Sequence, residues 1–153
     1  MRSANDPATL QLDSNDARLA ARRGTSVITT MALQMNAPQP LRERLRAIQI
    51  ATLRVLKSNG VTVTIGSDNV RDTSVAEALH LASLGVYSNL ELLKLWTETT
   101  PRAIFPGRRI GELQDGYEAS FLALEGNPLD DFGNVGRIRL RYKQGVEVVP
   151  ALR

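Results

Sequence analysis

Two runs of β-branched residues flank one amphipathic segment, and this arrangement limits the folds open to the chain more than any other feature. Thr25 to Met31 (TSVITTM) and Val61 to Ile65 (VTVTI) are β-branched and apolar. Such runs suit strands buried on both faces, as in parallel sheets. Between them, Leu41, Leu45, Ile48, Thr52 or Leu53, and Leu56 form one stripe over Leu41 to Ser58, with arginines around it. That is the pattern of a helix laying one face on a core. Lys57 in its last turn and Asn59-Gly60 beyond it end the helix. Strand, helix, strand, helix with short connections describes βαβ units and a parallel sheet. Two such units are too few to close a barrel or to cover a sheet on both sides.

The remaining segments fall around this centre. Residues 1–15 are polar and aperiodic, a frayed lead-in. Asp16 to Arg23 reads as a short Ala/Arg helix closed by Gly24. Pro38 and Pro40 punctuate the loop after the first strand. Ser74 and Glu77 make a capping-box pattern that opens a helix to about Leu84. Ser88 and Glu91 repeat it for a helix to about Thr99, and Pro101 suits the start of one more. From Gly116 onward only strands and turns remain: Tyr117 to Leu124, then Arg137 to Tyr142 and Val146 to Val149, the last two forming a hairpin around Lys143-Gln144-Gly145. The expected organisation is an α/β portion over residues 1–111 and a small all-β portion over residues 112–153.

Composition removes several kinds of chemistry. Among 153 residues there is one histidine and no cysteine. Disulfides, thiolate catalysis and cysteine-based zinc sites are therefore out. A self-contained metallohydrolase needs two or more imidazoles, and only His80 is on offer. The formal charge of +3 comes from scattered basic residues with no interleaved aromatics, so no nucleic-acid partner is expected. No apolar run approaches the ~20 residues of a membrane span. The first residues also lack the apolar core of a signal peptide. A soluble, by default cytoplasmic, protein without a membrane partner is expected.

Asp68 is the best-placed candidate for chemistry. An apolar strand delivers it to the carboxyl end, where α/β sheets and barrels bind ligands. A carboxylate there can ligate a metal or take a proton from water, although Asp-Asn after a strand is also ordinary turn chemistry. Asn69 and Arg71 follow in the same loop, and Asp72 is suited to cap the next helix. Asn36, Thr29 and Thr30 lie at the equivalent level of the other strand, where they can line a pocket or satisfy loop backbone groups. His80 shares a helical face with Glu77 and falls off the stripe of Val75, Leu79 and Ala82, which suggests a surface or half-buried structural residue. Trp96 reads as core or interface packing. Arg137, Arg139 and Arg141 alternate with Ile138, Leu140 and Tyr142, as on the solvated side of an antiparallel sheet.

Three blocks carry a resemblance. GVTVTIGSDNVRD, SNLELLKLWTETTPRAIF and IGELQDGYEASFLALEGNPLDDFGNVGRIRLRYKQGVEV resemble the C-terminal part of metal-dependent amidohydrolases, most closely the imidazolonepropionase-like branch. Gly66-Ser67-Asp68 stands where the family has G-[TS]-D at the end of its last barrel strand. Thr100-Pro101-Arg102-Ala103, Ile110 to Gly116 and Ala119 to Leu129 match its later motifs. The resemblance covers about 130 residues, from roughly residue 16.

That resemblance implies the C-terminal segment of a (β/α)8 TIM-like barrel, holding its last two strands and helices, plus the C-terminal strands of a small β-sandwich. It implies hydrolysis of a C–N bond in a non-peptide amide, cyclic amide or amidine by metal-activated water. Asp68 matches the family's strand-end aspartate, a metal ligand and proton shuttle. No other ligand carries over: the H-x-H of the first strand, the bridging Lys or Glu and the later histidines have no match here. A divalent metal, zinc in the first instance, is expected in the complete enzyme and none on this chain alone. The chain reads as an inactive fragment that needs its N-terminal half, or a homo-oligomer partner, to act on a small-molecule substrate. The alternative is a non-catalytic remnant serving as a binding or oligomerisation module.

Overall fold

Ser26–Thr29 (β1) and Thr62–Ile65 (β2) form a parallel pair in register from Ser26 opposite Thr62 to Thr29 opposite Ile65. Gly66 N–H extends the ladder to Thr29 O at 3.0 Å. The computed structural model describes residues 12–69 and 73–149. Val63, Thr64 and Ile65 are almost wholly buried, as their β-branched run predicts. β1 departs from expectation: Ser26 is exposed and Ile28 keeps 60% of its surface exposed. Side chains alternate across a strand, and no described element covers the face that carries these two.

The helix between the strands spans Gln39–Ser58 (α2) and buries Leu45, Gln49, Leu53 and Leu56. The stripe expected from the sequence holds only in part. Leu45, Leu53 and Leu56 are buried, but Leu41 is exposed and Ile48 half-buried. Gln49 takes a place on the buried face, with Leu53 favoured over half-buried Thr52. Its end is made by Gly60, whose φ of +67° suits a residue without a side chain. Before β1 lies Ser14–Arg22 (α1), capped by Asp13, whose Oδ1 accepts from Asn15 N at 2.7 Å and Asp16 N at 2.9 Å. Ser14 and Asn15, read from sequence as lead-in, therefore belong to the helix, because Asp13 satisfies its first N–H groups. A 3₁₀ segment, Met31–Asn36, follows β1.

The helix after β2 covers Val75–Leu84 (α3) and closes at left-handed Gly85. The capping box anticipated from Ser74 and Glu77 does not form: Ser74 makes no side-chain cap bond, and Glu77 bonds elsewhere. The buried face of α3 also differs from the sequence reading. Glu77, Ala78, His80, Leu81 and Leu84 are buried, while Leu79 is 39% exposed. His80, expected at the surface or half buried, is 9% exposed because it enters a polar network with α2.

The chain divides into two compact units, Met1–Ser88 and Asn89–Arg153. The change from alternating α/β to all-β pattern comes later, near residue 111, so the second unit opens with helices. Asn89–Lys94 (α4), a π-helical turn over Leu95–Thr99 and Thr100–Ile104 (α5) follow one another without a break. The wide turn presses against Gly111: a Cβ there would sit 1.9 Å from the Thr97 carbonyl oxygen, and its φ is +93°. Both facts demand glycine.

Phe121–Leu124 (β3), Ile138–Lys143 (β4) and Val146–Glu147 (β5) form an antiparallel sheet in that order. β3 is shorter than the expected Tyr117 to Leu124, because the preceding residues bond to a loop instead: Glu118 N–H reaches Arg109 O at 2.7 Å. The β4–β5 hairpin turns on Gln144 and Gly145, both at positive φ, as a type I′ turn requires. Phe121 stacks on Tyr142 with ring centroids 4.9 Å apart. Arg139 of the basic strand is exposed and Arg141 half-buried. Between β3 and β4, the 3₁₀ turn Phe132–Gly136 buries Phe132 and Val135.

Candidate functional site

Both strands of the first unit end at one pocket. Ala32, Leu33 and Asn36 come from the 3₁₀ segment after β1, and Ser67 and Asn69 from the loop after β2. Thr73, Ala76 and Glu77, at the start of α3, complete a lining of about 230 Å³. This is the carboxyl end of a parallel pair, where strand-end loops collect polar groups and helix N-termini.

The sequence candidates fall into four groups. Asn36 and Asn69 line the pocket. Asp68 sits between lining residues Ser67 and Asn69, is itself exposed, and has a φ of +49°. That left-handed conformation is uncommon outside glycine and tolerated best by Asn and Asp. Arg71 and Asp72 lie outside the described residues. Thr29 is buried and its hydroxyl donates to Thr64 O at 3.3 Å, a backbone-satisfying role, and neither it nor Thr30 is among the lining residues.

Glu77 is the residue that the sequence misplaced. Its carboxylate is 1% exposed, and Oε2 accepts from the Ala32 backbone N–H at 2.6 Å. It thus caps the 3₁₀ segment from another element, holding the loops after β1 and β2 at a common level. Oε1 has no hydrogen-bond partner among the described residues. The available signal was an acidic residue next to Ala78 and four before Leu81, on the face that α3 buries.

Behind the pocket lies a network of neutral polar groups. Gln49 of α2 donates from Nε2 to Met31 O at 3.2 Å and to Gln34 Oε1 at 2.8 Å. Its oxygen, left as acceptor, lies 2.7 Å from His80 Nε2. Since that amide has spent its donor side, His80 must carry its proton on Nε2. Burial lowers the His80 pKa, with Glu77 pulling it up and Arg46 pushing it further down.

These residues do not make a metal centre by themselves. Among the described residues, no three His, Cys, Asp or Glu side chains converge, and the histidine nitrogen nearest a partner is committed to Gln49. No helix among the described residues is long and apolar enough to cross a membrane.

The sequence profile of the Amidohydrolase family matches residues 8–148, and the chain belongs to that family. Members of this family are generally metal-dependent. Ochratoxinase of Aspergillus niger is 38% identical over 74 residues, which are 47% of this chain and 15% of that protein. The 5'-deoxyadenosine deaminase of Methanopyrus kandleri is 26% identical over 127 residues, 76% of this chain and 27% of its own. In three dimensions the chain is similar to A. niger ochratoxinase, with a TM-score of 0.71 and 24% identity over 88% of this chain and 34% of the other. A prolidase crystallised with N-methylphosphonate-L-proline gives a TM-score of 0.72 and 22% identity, covering 90% of this chain and 38% of that one. The chain therefore spans well under half the length of each of these relatives.

Proposed function

We propose that this chain is the C-terminal segment of a hydrolase acting on carbon–nitrogen bonds, and that it supplies one side of the catalytic pocket. In this reading β1 and β2 are the last two strands of a (β/α)8 barrel, and β3–β5 belong to a small β-sandwich. The observation that carries it is the family match over residues 8–148, together with an aspartate at the end of β2 beside a pocket. The small share of each relative that the chain covers supports the fragment reading. The tail motifs favour the imidazolonepropionase-like branch.

The reaction is addition of water to the carbon of an amide, cyclic amide or amidine, followed by departure of the nitrogen with a proton. Asp68 takes the proton from the attacking water and returns it to the leaving nitrogen. Asn36 and Asn69 orient the substrate by hydrogen bonds, with Arg71 of the same loop as a further contact. The family's divalent metal, zinc in the first instance, needs ligands beyond Asp68, which the rest of a complete enzyme contributes. Alone, the chain neither holds the metal nor turns over substrate.

The test is to purify the chain alone and together with a co-expressed upstream barrel half that carries H-x-H, then measure metal content and hydrolysis of a panel of cyclic amides and amidines. Metal and turnover only in the pair are expected. Stoichiometric zinc on the isolated chain would overturn the reading. A stable homo-oligomer that the barrel half never joins would instead identify a non-catalytic binding module.

A further inference from the structure

We infer that the pocket at the ends of β1 and β2 is a subsite for an organic cation, an ammonium or guanidinium group, received by Glu77. The side chain is 1% exposed, it lines the pocket, and only one of its two oxygens is used within the described residues. A buried carboxylate oxygen left without a donor is costly, by the full desolvation of a charged acceptor. A ligand N–H that supplies the missing bond recovers that loss.

The rest of the lining agrees in sign and in chemistry. Asn36, Ser67, Asn69 and Thr73 offer neutral oxygens, Ala32, Leu33 and Ala76 offer apolar surface, and none of the lining residues among the described ones is cationic. Asp68 adds a second carboxylate in the loop between Ser67 and Asn69. A bare metal ion needs several anionic or imidazole ligands, and no such trio exists among the described residues. An organic cation instead brings its own array of donors and fits a site of one carboxylate among neutral acceptors. The terminal torsion of a glutamate is soft, so Oε1 can meet a donor delivered through the pocket while Oε2 stays with Ala32. The volume of about 230 Å³ suits such a headgroup and a short stem.

As a substrate subsite, this rests on the proposed function. The binding itself is measured apart from catalysis. Methylguanidinium chloride, and acetate as the anionic control, are titrated at millimolar concentration into the isotopically labelled full chain, and backbone amide shifts are followed. Saturable shifts at Ala32, Asn36, Ser67 and Asn69 with methylguanidinium alone are expected. Glu77→Gln keeps an acceptor for Ala32 but removes the charge, and weakens binding about tenfold or more. Ala76→Phe, at an exposed position on the lining, blocks the pocket and abolishes binding without touching Glu77, which decides the matter even where Glu77→Gln fails to fold. No saturable shift in the wild type, equal response to acetate, or unchanged binding by a folded Glu77→Gln variant each overturns the inference. So does binding seen only after Arg71→Ala, which would mean that the chain fills the site itself. Cation binding without hydrolysis in the reconstituted pair leaves the subsite standing and removes the catalytic reading; hydrolysis without cation binding does the reverse.

Discussion

His80 Nε2 and Gln49 Oε1 lie 2.7 Å apart, joining α3 to α2 across 31 positions of sequence. The same glutamine holds Met31 O and Gln34, so one amide ties both helices to the segment after β1. Gln49→Leu removes every one of these bonds and leaves the imidazole N–H and the Met31 carbonyl without partners. It should lower unfolding free energy by about 2–3 kcal/mol, read from urea denaturation followed by circular dichroism. A loss below about 0.5 kcal/mol would show that water replaces the network freely.

Stability should fall as the solution is acidified from neutral. Burial lowers the folded pKa of His80 below the ordinary value of about 6.5 that the unfolded chain keeps. Below that value the unfolded state binds a proton that the folded state resists, so acid favours unfolding. The stabilisation is complete above about pH 6.5 and is lost as pH falls toward the folded pKa. Urea midpoints at pH 5.5 and 7.5 test this, and His80→Gln should flatten the difference. Glu118, held low chiefly by Ser120 and Arg108, titrates in the more acidic carboxylate range and does not mimic the effect.

Gly111→Ala should be among the most damaging single changes in the second unit. The new Cβ meets the Thr97 carbonyl at 1.9 Å with φ at +93°, so either the π-helical turn or the loop must move. A loss of at least about 2 kcal/mol follows. Limited proteolysis of the segment from Asn89 onward, compared with wild type, would reveal it.

Thr52→Val should leave the chain as stable or more so. The Thr52 hydroxyl oxygen is buried with no hydrogen-bond partner among the described residues, and valine keeps the branched shape. A gain of up to about 1 kcal/mol is expected in the urea midpoint series. A loss of that size would reveal a partner that the described residues do not contain.

Asp68→Gly separates folding from chemistry. Glycine adopts a φ of +49° without a side-chain penalty, so stability should hold or rise by about 0.5–1 kcal/mol. In the reconstituted pair, hydrolysis should drop at least about a hundredfold. Retained turnover would remove Asp68 from the proposed reaction.

What the sequence made legible was whatever depends on near neighbours in the chain. The α2 stripe follows from helical periodicity, the end of α2 from Asn59-Gly60, and the hairpin from a glycine beside Gln144. The frame β1–α2–β2–α3 came from the same local patterns. Errors arose where the deciding partner is remote. Glu77 looked like half of a capping box with Ser74, yet its partner is Ala32, 45 positions away. His80 looked like a surface or half-buried residue because Leu79 and Val75 suggested the buried face, but Gln49 turned the helix the other way. The π-helical turn at Leu95–Thr99 has no sequence signature of its own; its fit against Gly111 is visible only in space. The strand-end position of Asp68 was readable from local pattern, while the pocket beside it needed Glu77, which local pattern assigned to another task.

The fixed register of β1 on β2 also governs how chains of this kind can change length. Each residue of β1 faces the residue 36 positions later, from Ser26 with Thr62 to Thr29 with Ile65. One residue inserted within α2 turns everything beyond it by about 100°, carrying Leu53 and Leu56 off the buried face. The same insertion beside Pro38 or at Asn59-Gly60 is absorbed by a loop. Descendants of this sequence should therefore carry their gaps and insertions at the two mouths of the helix, leaving its interior constant in length while its surface residues drift.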